Sequence, residues 1–211
     1  MPVNNKKQRL LKIIELMENE YPDAKCSLTA NNPFELLVAT RLSAQCTDAR
    51  VNLITPALFS ALPTPKDFAN ATITQVEELI KSCGLYHSKA KDLVALGKVL
   101  EEKYNGEVPS TMEELTSLPG IGRKTANLIL GDVYGKPAVV TDTHFIRLCN
   151  RMGFVKTKEP KKVEDAMRKL LPPEKSNDFC HRSVLHGRAV CSARAPKCDE
   201  CCVKDFCDKR L

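Results

Sequence analysis

The chain has 211 residues and carries 32 Lys and Arg against 26 Asp and Glu, a formal charge of +6 that weakly favours an anionic partner. Its 43% hydrophobic and 27% charged residues are ordinary globular values, which excludes a disordered or collagen-like chain, and its length allows one domain or two small ones at roughly 100–200 residues each. No apolar run reaches the roughly 18–20 residues of a membrane-crossing helix. The N-terminal stretch also lacks the unbroken apolar core of a signal peptide, so an intracellular protein of the cytoplasm or nucleoid, with no membrane role, is expected.

The predicted elements are helical almost throughout. Leu10, Ile13, Ile14 and Met17 recur at i, i+3, i+4, i+7, one apolar face of an amphipathic helix. Asn32-Pro33 supplies a cap and a first-turn proline ahead of Phe34, Leu37, Val38 and Leu42. Thr74 with Glu77, and Ser110 with Glu113, read as capping boxes, the first opening a helix that stops at Gly84. Thr157, Glu159 and Pro160 open a further helix that Pro172-Pro173 closes. Sustained period-2 alternation is absent, so the fold is expected to be all-α, with about ten helices.

The segment LPGIGRKTA, residues 118–126, places a turn with Gly120 and Gly122 between a helix over 110–118 and one running from Arg123 to about Tyr134. Unpaired N–H groups and the positive end of the macrodipole make such a helix start an anion site, although a plain helix–helix turn has the same pattern. The P-loop pattern is not matched. Lys124 opposes the helix dipole. It reads either as a solvated surface lysine or as an amine whose ammonium is disfavoured by the helix terminus, by Arg123 and by partial burial, and so is made nucleophilic. In VVTDTHF, Asp142 is well placed as an N-cap; a carboxylate held there would also suit stabilising a developing cation. His144 reads equally as a phosphate contact or an interior histidine.

Ten cysteines are many for this length. Cys26, Cys46, Cys83, Cys149 and Cys180 are scattered and read as small buried hydrophobes. Cys191, Cys198, Cys201 and Cys207 follow C-x6-C-x2-C-x5-C, a metal or cluster site; zinc commonly takes four cysteines, though usually as two CxxC pairs. Cys202 is expected to point elsewhere. Arg194 and Lys197 make the intervening loop basic enough to face a phosphate backbone.

The hairpin LPGIGRKTAN, the downstream VTDTH and the cysteine spacing, in this order, resemble the endonuclease III family of DNA glycosylases within the helix–hairpin–helix superfamily. The resemblance implies a 4Fe–4S cluster on Cys191, Cys198, Cys201 and Cys207. It implies a six-helix barrel domain over about 26–136, with the helix–hairpin–helix at about 110–135. A cluster domain would combine 1–25 with 137–211, and a DNA-binding cleft would lie between the two. Lys124 then matches the nucleophile and Asp142 the catalytic aspartate. Gln45 matches the glutamine that fills the gap left by an extruded nucleotide, and Leu85 the wedge in the opposite strand. Gly120, Gly122, Arg123, His144, Arg194 and Lys197 become expected DNA contacts.

The implied activity is that of a monomeric, bifunctional glycosylase and abasic-site lyase of base excision repair, acting on duplex DNA that contains oxidised pyrimidines or abasic sites. Lys124 would displace the base and form a Schiff base with the sugar, and β-elimination would cut the strand 3′ to the lesion. Two rivals remain. A monofunctional, adenine-removing relative lacks a lysine at this position, and a non-catalytic DNA-binding protein would not need Lys124, Asp142, Gln45 and Leu85 together.

Overall fold

The computed structural model describes residues 3–210, with side chains from residue 5. Eleven α-helices run in chain order: α1 Val3–Glu20, α2 Pro33–Leu42, α3 Asp48–Ala61, α4 Pro65–Asn70, α5 Ile73–Ile80, α6 Tyr86–Tyr104, α7 Met112–Ser117, α8 Arg123–Asp132, α9 Thr143–Arg151, α10 Pro160–Arg168 and α11 Ser176–Ala189. Single 3-10 turns follow at Pro173–Lys175, Cys198–Glu200 and Lys204–Phe206, and no strand occurs among the described residues. The fold is all-α.

The chain divides into two compact units: Ser27–Tyr134, and Met1–Cys26 together with Gly135–Leu211. In the first, Asn32 caps α2 by accepting from the Glu35 N–H, and Pro33 stands at the first position, as the sequence implied. Phe34, Leu37, Val38 and Leu42 are all buried, with Phe34 edge-on to Phe68 of α4 at 5.4 Å between centroids. Helix α4 presses on α6 at Gly97, where an added Cβ would stand 2.6 Å from the Pro65 carbonyl oxygen.

Two helix starts differ from the sequence reading. Helix α5 is capped by Thr72 in a box with Gln75, not by Thr74 with Glu77, and it ends at Ile80. Helix α7 is capped by Thr111, which accepts from the Glu114 N–H and donates to its carboxylate; Ser110 is not the cap. Both sequences offer two overlapping Ser/Thr-x-x-Glu/Gln choices. The one used is the residue whose backbone is extended while the next turns helical. Helix α8 also closes at Asp132, and α10 has no side-chain cap at Glu159.

In the second unit, Leu10, Ile13, Ile14 and Met17 are buried as their periodicity implied. Helix α1 is bound to α11 by Arg182, which donates to the Tyr21 carbonyl and pairs with Glu18, and Lys175 pairs with the same Glu18. Arg9 of α1 pairs with Asp208 at 2.7 Å and stacks on Phe154. Helices α9 and α11 pack through Phe145 and Phe179, whose rings meet edge to face at 6.0 Å.

Candidate active site and cysteine loop

The turn between α7 and α8 is built from the inside out. Leu118 and Ile121 are buried and joined by an Ile121 N–H to Leu118 carbonyl bond, so the intervening Pro119-Gly120 must turn sharply. Gly120 adopts φ +71, and a Cβ there would stand 2.6 Å from Arg41 Nε and 2.8 Å from Asp92 Oδ2. Arg41 and Asp92 form an ion pair, so a partly buried salt link is the floor of the turn and only glycine fits over it. Gly122 caps α8 with no side-chain hydrogen bond, and an added Cβ there would meet nothing within 4 Å. The start of α8 at Gly122 thus stands in open space, and a helix start of this kind is suited to a phosphate.

Arg123 and Lys124 are both exposed in that first turn. Partial burial of Lys124, expected from the sequence, is not observed: the buried face of α8 is taken by Ala126, Asn127, Ile129 and Leu130. Lys124 thus stands in solvent, with the helix start and Arg123 beside it.

Gln45 and Leu85 are each exposed, Leu85 to 55%, and both have left-handed backbones, at φ 54 and φ 61. Their loops touch. A Cβ on Gly84 would lie 3.1 Å from the Gln45 carbonyl oxygen, and Cys46 Sγ lies 3.6 Å from Cys83 Sγ. Positive φ in non-glycine residues is uncommon. Two such residues on adjoining loops, both turned to solvent, hold their side chains out rather than pack them.

Sequence reasoning missed Lys89, which is 0% exposed on α6 and donates to the Leu42 carbonyl at 2.7 Å, closing the end of α2. Desolvation lowers its pKa, opposed by the nearby Cys83 and Cys46 sulfurs. A signal was present: Lys89 shares helical phase with the buried Leu93, Leu96 and Leu100.

Asp142 belongs to the other unit. It caps α9, accepting from the Phe145 N–H through Oδ1 at 2.7 Å. His144, in the first turn, is half-buried, and Arg147 Nη2 donates to its Nδ1 at 3.1 Å. Desolvation lowers the His144 pKa, opposed by the Asp142 charge and assisted by Arg147 and Arg188. His144 is therefore tied into the packing of α9 on α11.

Cys191, Cys198, Cys201 and Cys207 line one cavity of about 30 Å³, together with Arg151, His186, Val190 and Val203. Cys202 is not part of its wall; it lies toward Tyr21 and Glu20, and burial pushes its thiol up to about 11. Among the described residues no three His, Cys, Asp or Glu side chains converge as they would around a single ion. The four sulfurs surround a space instead. Arg151 Nη1 approaches Cys191 Sγ at 3.3 Å, and the Lys209 N–H donates to Cys207 Sγ at 3.4 Å. Tyr21 Oη lies 3.1 Å from His186 Nδ1. With the hydroxyl donating there, Nε2 carries the proton and faces Cys201 Sγ at 3.4 Å. Burial pushes the His186 pKa down to about 4. Four thiols with N–H groups directed at three of them are a donor set that fits an iron–sulfur cluster.

The loop is anchored to α9 by two arginines that sequence reasoning missed. Arg147 donates to the Gly187 and Cys191 carbonyls, and Arg151 to the Ser192 and Ala193 carbonyls. Their i, i+4 spacing in the last turns of α9 gave only a dipole-matching signal. Arg194 and Lys197 are exposed on the loop, as expected, with Lys197 near Glu200.

Residues 38–173 match the HhH-GPD superfamily base excision DNA repair protein family. The chain is 45% identical to Endonuclease III of Synechocystis over 204 residues, covering 96% of this chain and 93% of that protein. It is 41% identical to Endonuclease III of Escherichia coli K12, covering 97% and 96%. The solved structure of a trapped Endonuclease III–DNA covalent intermediate superposes with a TM-score of 0.91 at 41% identity, over 96% of each chain. The chain belongs to the HhH-GPD superfamily of base excision DNA repair proteins and, within it, to the endonuclease III family of DNA glycosylases.

Proposed function

We propose that this glycosylase is bifunctional, removing oxidised pyrimidines and then cleaving the abasic strand through Lys124. The observation that carries the reading is the placement of an exposed amine in the first turn of α8, directly behind a glycine turn that is open at Gly122. Phosphate bound at that helix start would fix the sugar near Nζ, and DNA packed over the turn would supply the desolvation that the free protein lacks. A damaged base leaves the stack because its reacting carbon cannot be reached inside it. Gln45 and Leu85, held outward on adjoining loops, would occupy the gap and separate the strands.

Lys124 Nζ attacks C1′ and the C1′–N bond breaks, the base leaving with the bonding pair. Asp142, held in one rotamer by its cap, stabilises positive charge on the sugar. The sugar ring then opens, the C1′–O4′ bond breaking as O4′ takes the proton that Nζ gives up, and the resulting Schiff base acidifies the C2′ protons; loss of one expels the 3′ phosphate by β-elimination. That a related Endonuclease III has been trapped in covalent linkage with DNA supports this route.

The four cavity cysteines would hold a 4Fe–4S cluster. When bound it supplies four iron–thiolate links that fix the loop. Arg147 and Arg151 fasten that loop to α9, and Arg194 and Lys197 then meet phosphate on its exposed side. Gly120, Gly122, Arg123 and His144 complete the proposed DNA contacts, and the protein acts as a monomer. Gly120 contributes by permitting the turn, and His144 by its place beside Asp142 on α9.

Borohydride reduction of the protein mixed with a duplex containing an oxidised pyrimidine should give a covalent adduct that Lys124→Ala abolishes. Wild-type protein that releases base without an adduct would instead be monofunctional.

A further inference from the structure

We infer that Cys46 and Cys83 form a peroxide-responsive dithiol, which closes to a disulfide at the foot of the two loops carrying Gln45 and Leu85. Their sulfurs lie 3.6 Å apart. A disulfide bond is about 2.05 Å long, so closure needs roughly 1.5 Å of approach. The two thiols are unequal. Cys46 is half-buried and reachable by a small oxidant, whereas Cys83 is 2% exposed. That is the division between an attacking thiol and a sheltered resolving one. Burial, and after it the Cys46 sulfur, push the Cys83 thiol up to about 11, with Lys89 opposing, so Cys83 waits as the protonated partner while Cys46 meets the oxidant first. Cys149 and Cys180 give the contrast: they interact with each other, but both are buried, so neither offers a first target.

The chemistry balances with a peroxide as the oxidant. The Cys46 thiolate attacks one peroxide oxygen, the O–O bond breaks, and the released hydroxide takes a proton to become water. Cys83 sulfur, giving up its proton, then attacks the sulfenic sulfur of Cys46, and the S–O bond breaks with loss of a second water. Two thiols and one peroxide become one disulfide and two waters.

The consequence for DNA follows from position and rests on the proposed roles of Gln45 and Leu85. Cys46 directly follows Gln45, and only Gly84 separates Cys83 from Leu85. The Gly84 backbone already stands against the Gln45 carbonyl. Drawing the sulfurs together must shift two left-handed residues in contacting loops, and misplacement of about 1 Å can cost on the order of a hundredfold in activity.

The test treats purified holoprotein with mild hydrogen peroxide, alkylates the remaining thiols and maps peptides by mass spectrometry. A dithiothreitol-reversible Cys46–Cys83 peptide is expected, absent from both Cys46→Ser and Cys83→Ser. Cys46 carried to sulfonic acid without a cross-link, or both thiols still alkylated, would overturn the inference. In parallel, affinity for a duplex with a reduced abasic analogue should fall by roughly tenfold to a hundredfold in the cross-linked protein. It should recover on reduction and hold in peroxide-treated Cys46→Ser, with cluster absorbance unchanged throughout. Full affinity in the cross-linked protein would overturn the effect on DNA. Reduced wild-type protein that fails to bind the analogue would instead overturn the functional reading, leaving the mapped disulfide standing.

Discussion

Lys89 and Lys124 set two regions of one helical unit against each other. Lys89 is enclosed among the α6 core residues, spends its amine on the Leu42 carbonyl and has a lowered pKa through desolvation. Lys124 stands exposed on the first turn of α8, just behind the open glycine turn at Gly122. Burial and a lowered pKa are often taken as marks of a reactive amine. Here they mark the lysine that closes a helix, while the one proposed to meet substrate is open to solvent. What separates them is access: an amine already bonded inside the core has nowhere to receive a sugar carbon.

The sharpest way to break this contrast is to remove each amine in turn. Lys124→Ala should lower abasic-site cleavage on the order of a thousandfold or more, with thermal unfolding moved by about 0.5 kcal/mol at most, since an exposed side chain is lost. Lys89→Ala should do the reverse. Activity per folded molecule persists while stability falls by about 3 kcal/mol, the cost of a cavity plus an unpaired buried carbonyl, read by urea denaturation. If Lys89→Ala lost the borohydride adduct while staying folded, the contrast would be wrong.

Asp142→Asn sharpens the same point in the other unit. Asparagine caps a helix as well as aspartate, so the melting temperature should hold within a degree or two, while base release slows by about a hundredfold or more in single-turnover assays. Gly120→Ala should cost about 2–4 kcal/mol, from left-handed backbone and from contact with Arg41 and Asp92. Its DNA affinity should fall with the turn geometry, as a binding titration would show.

The smallest effect is in pH. Because the folded-state pKa of Lys89 is lowered, the unfolded chain holds the extra proton between that value and the ordinary value of about 10.4. Stability owed to this residue should therefore rise with pH across that window and be flat below it. Lys89→Met should remove the slope in denaturation series taken from neutral to alkaline pH.

Much of this was legible in the sequence, for identifiable reasons. The buried face of α1 and the Asn32 and Asp142 caps follow from spacing and local hydrogen bonding, which depend on few neighbours. The starts of α5 and α7 were each misplaced because two Ser or Thr residues competed, and the choice belongs to backbone angles rather than composition. The floor of Arg41 and Asp92 beneath Gly120 and the arginine ties to the cysteine loop join residues far apart in sequence, where periodicity carries no information. Lys89 was hidden for a different reason. Its phase with Leu93 and Leu96 was visible, but a lysine is read as solvated by default.

Helix α9 carries Asp142 at its beginning, while Arg147 and Arg151, a turn or two on, grip the backbone around Cys191. Nine residues span about 14 Å of rigid rod. If the four cysteines hold the proposed cluster, whatever unseats the far end, such as loss of its iron, also slackens the rod that holds the Asp142 carboxylate. On the role proposed for Asp142, damage at the cysteines would be felt as poor aim at the sugar before it registered as unfolding.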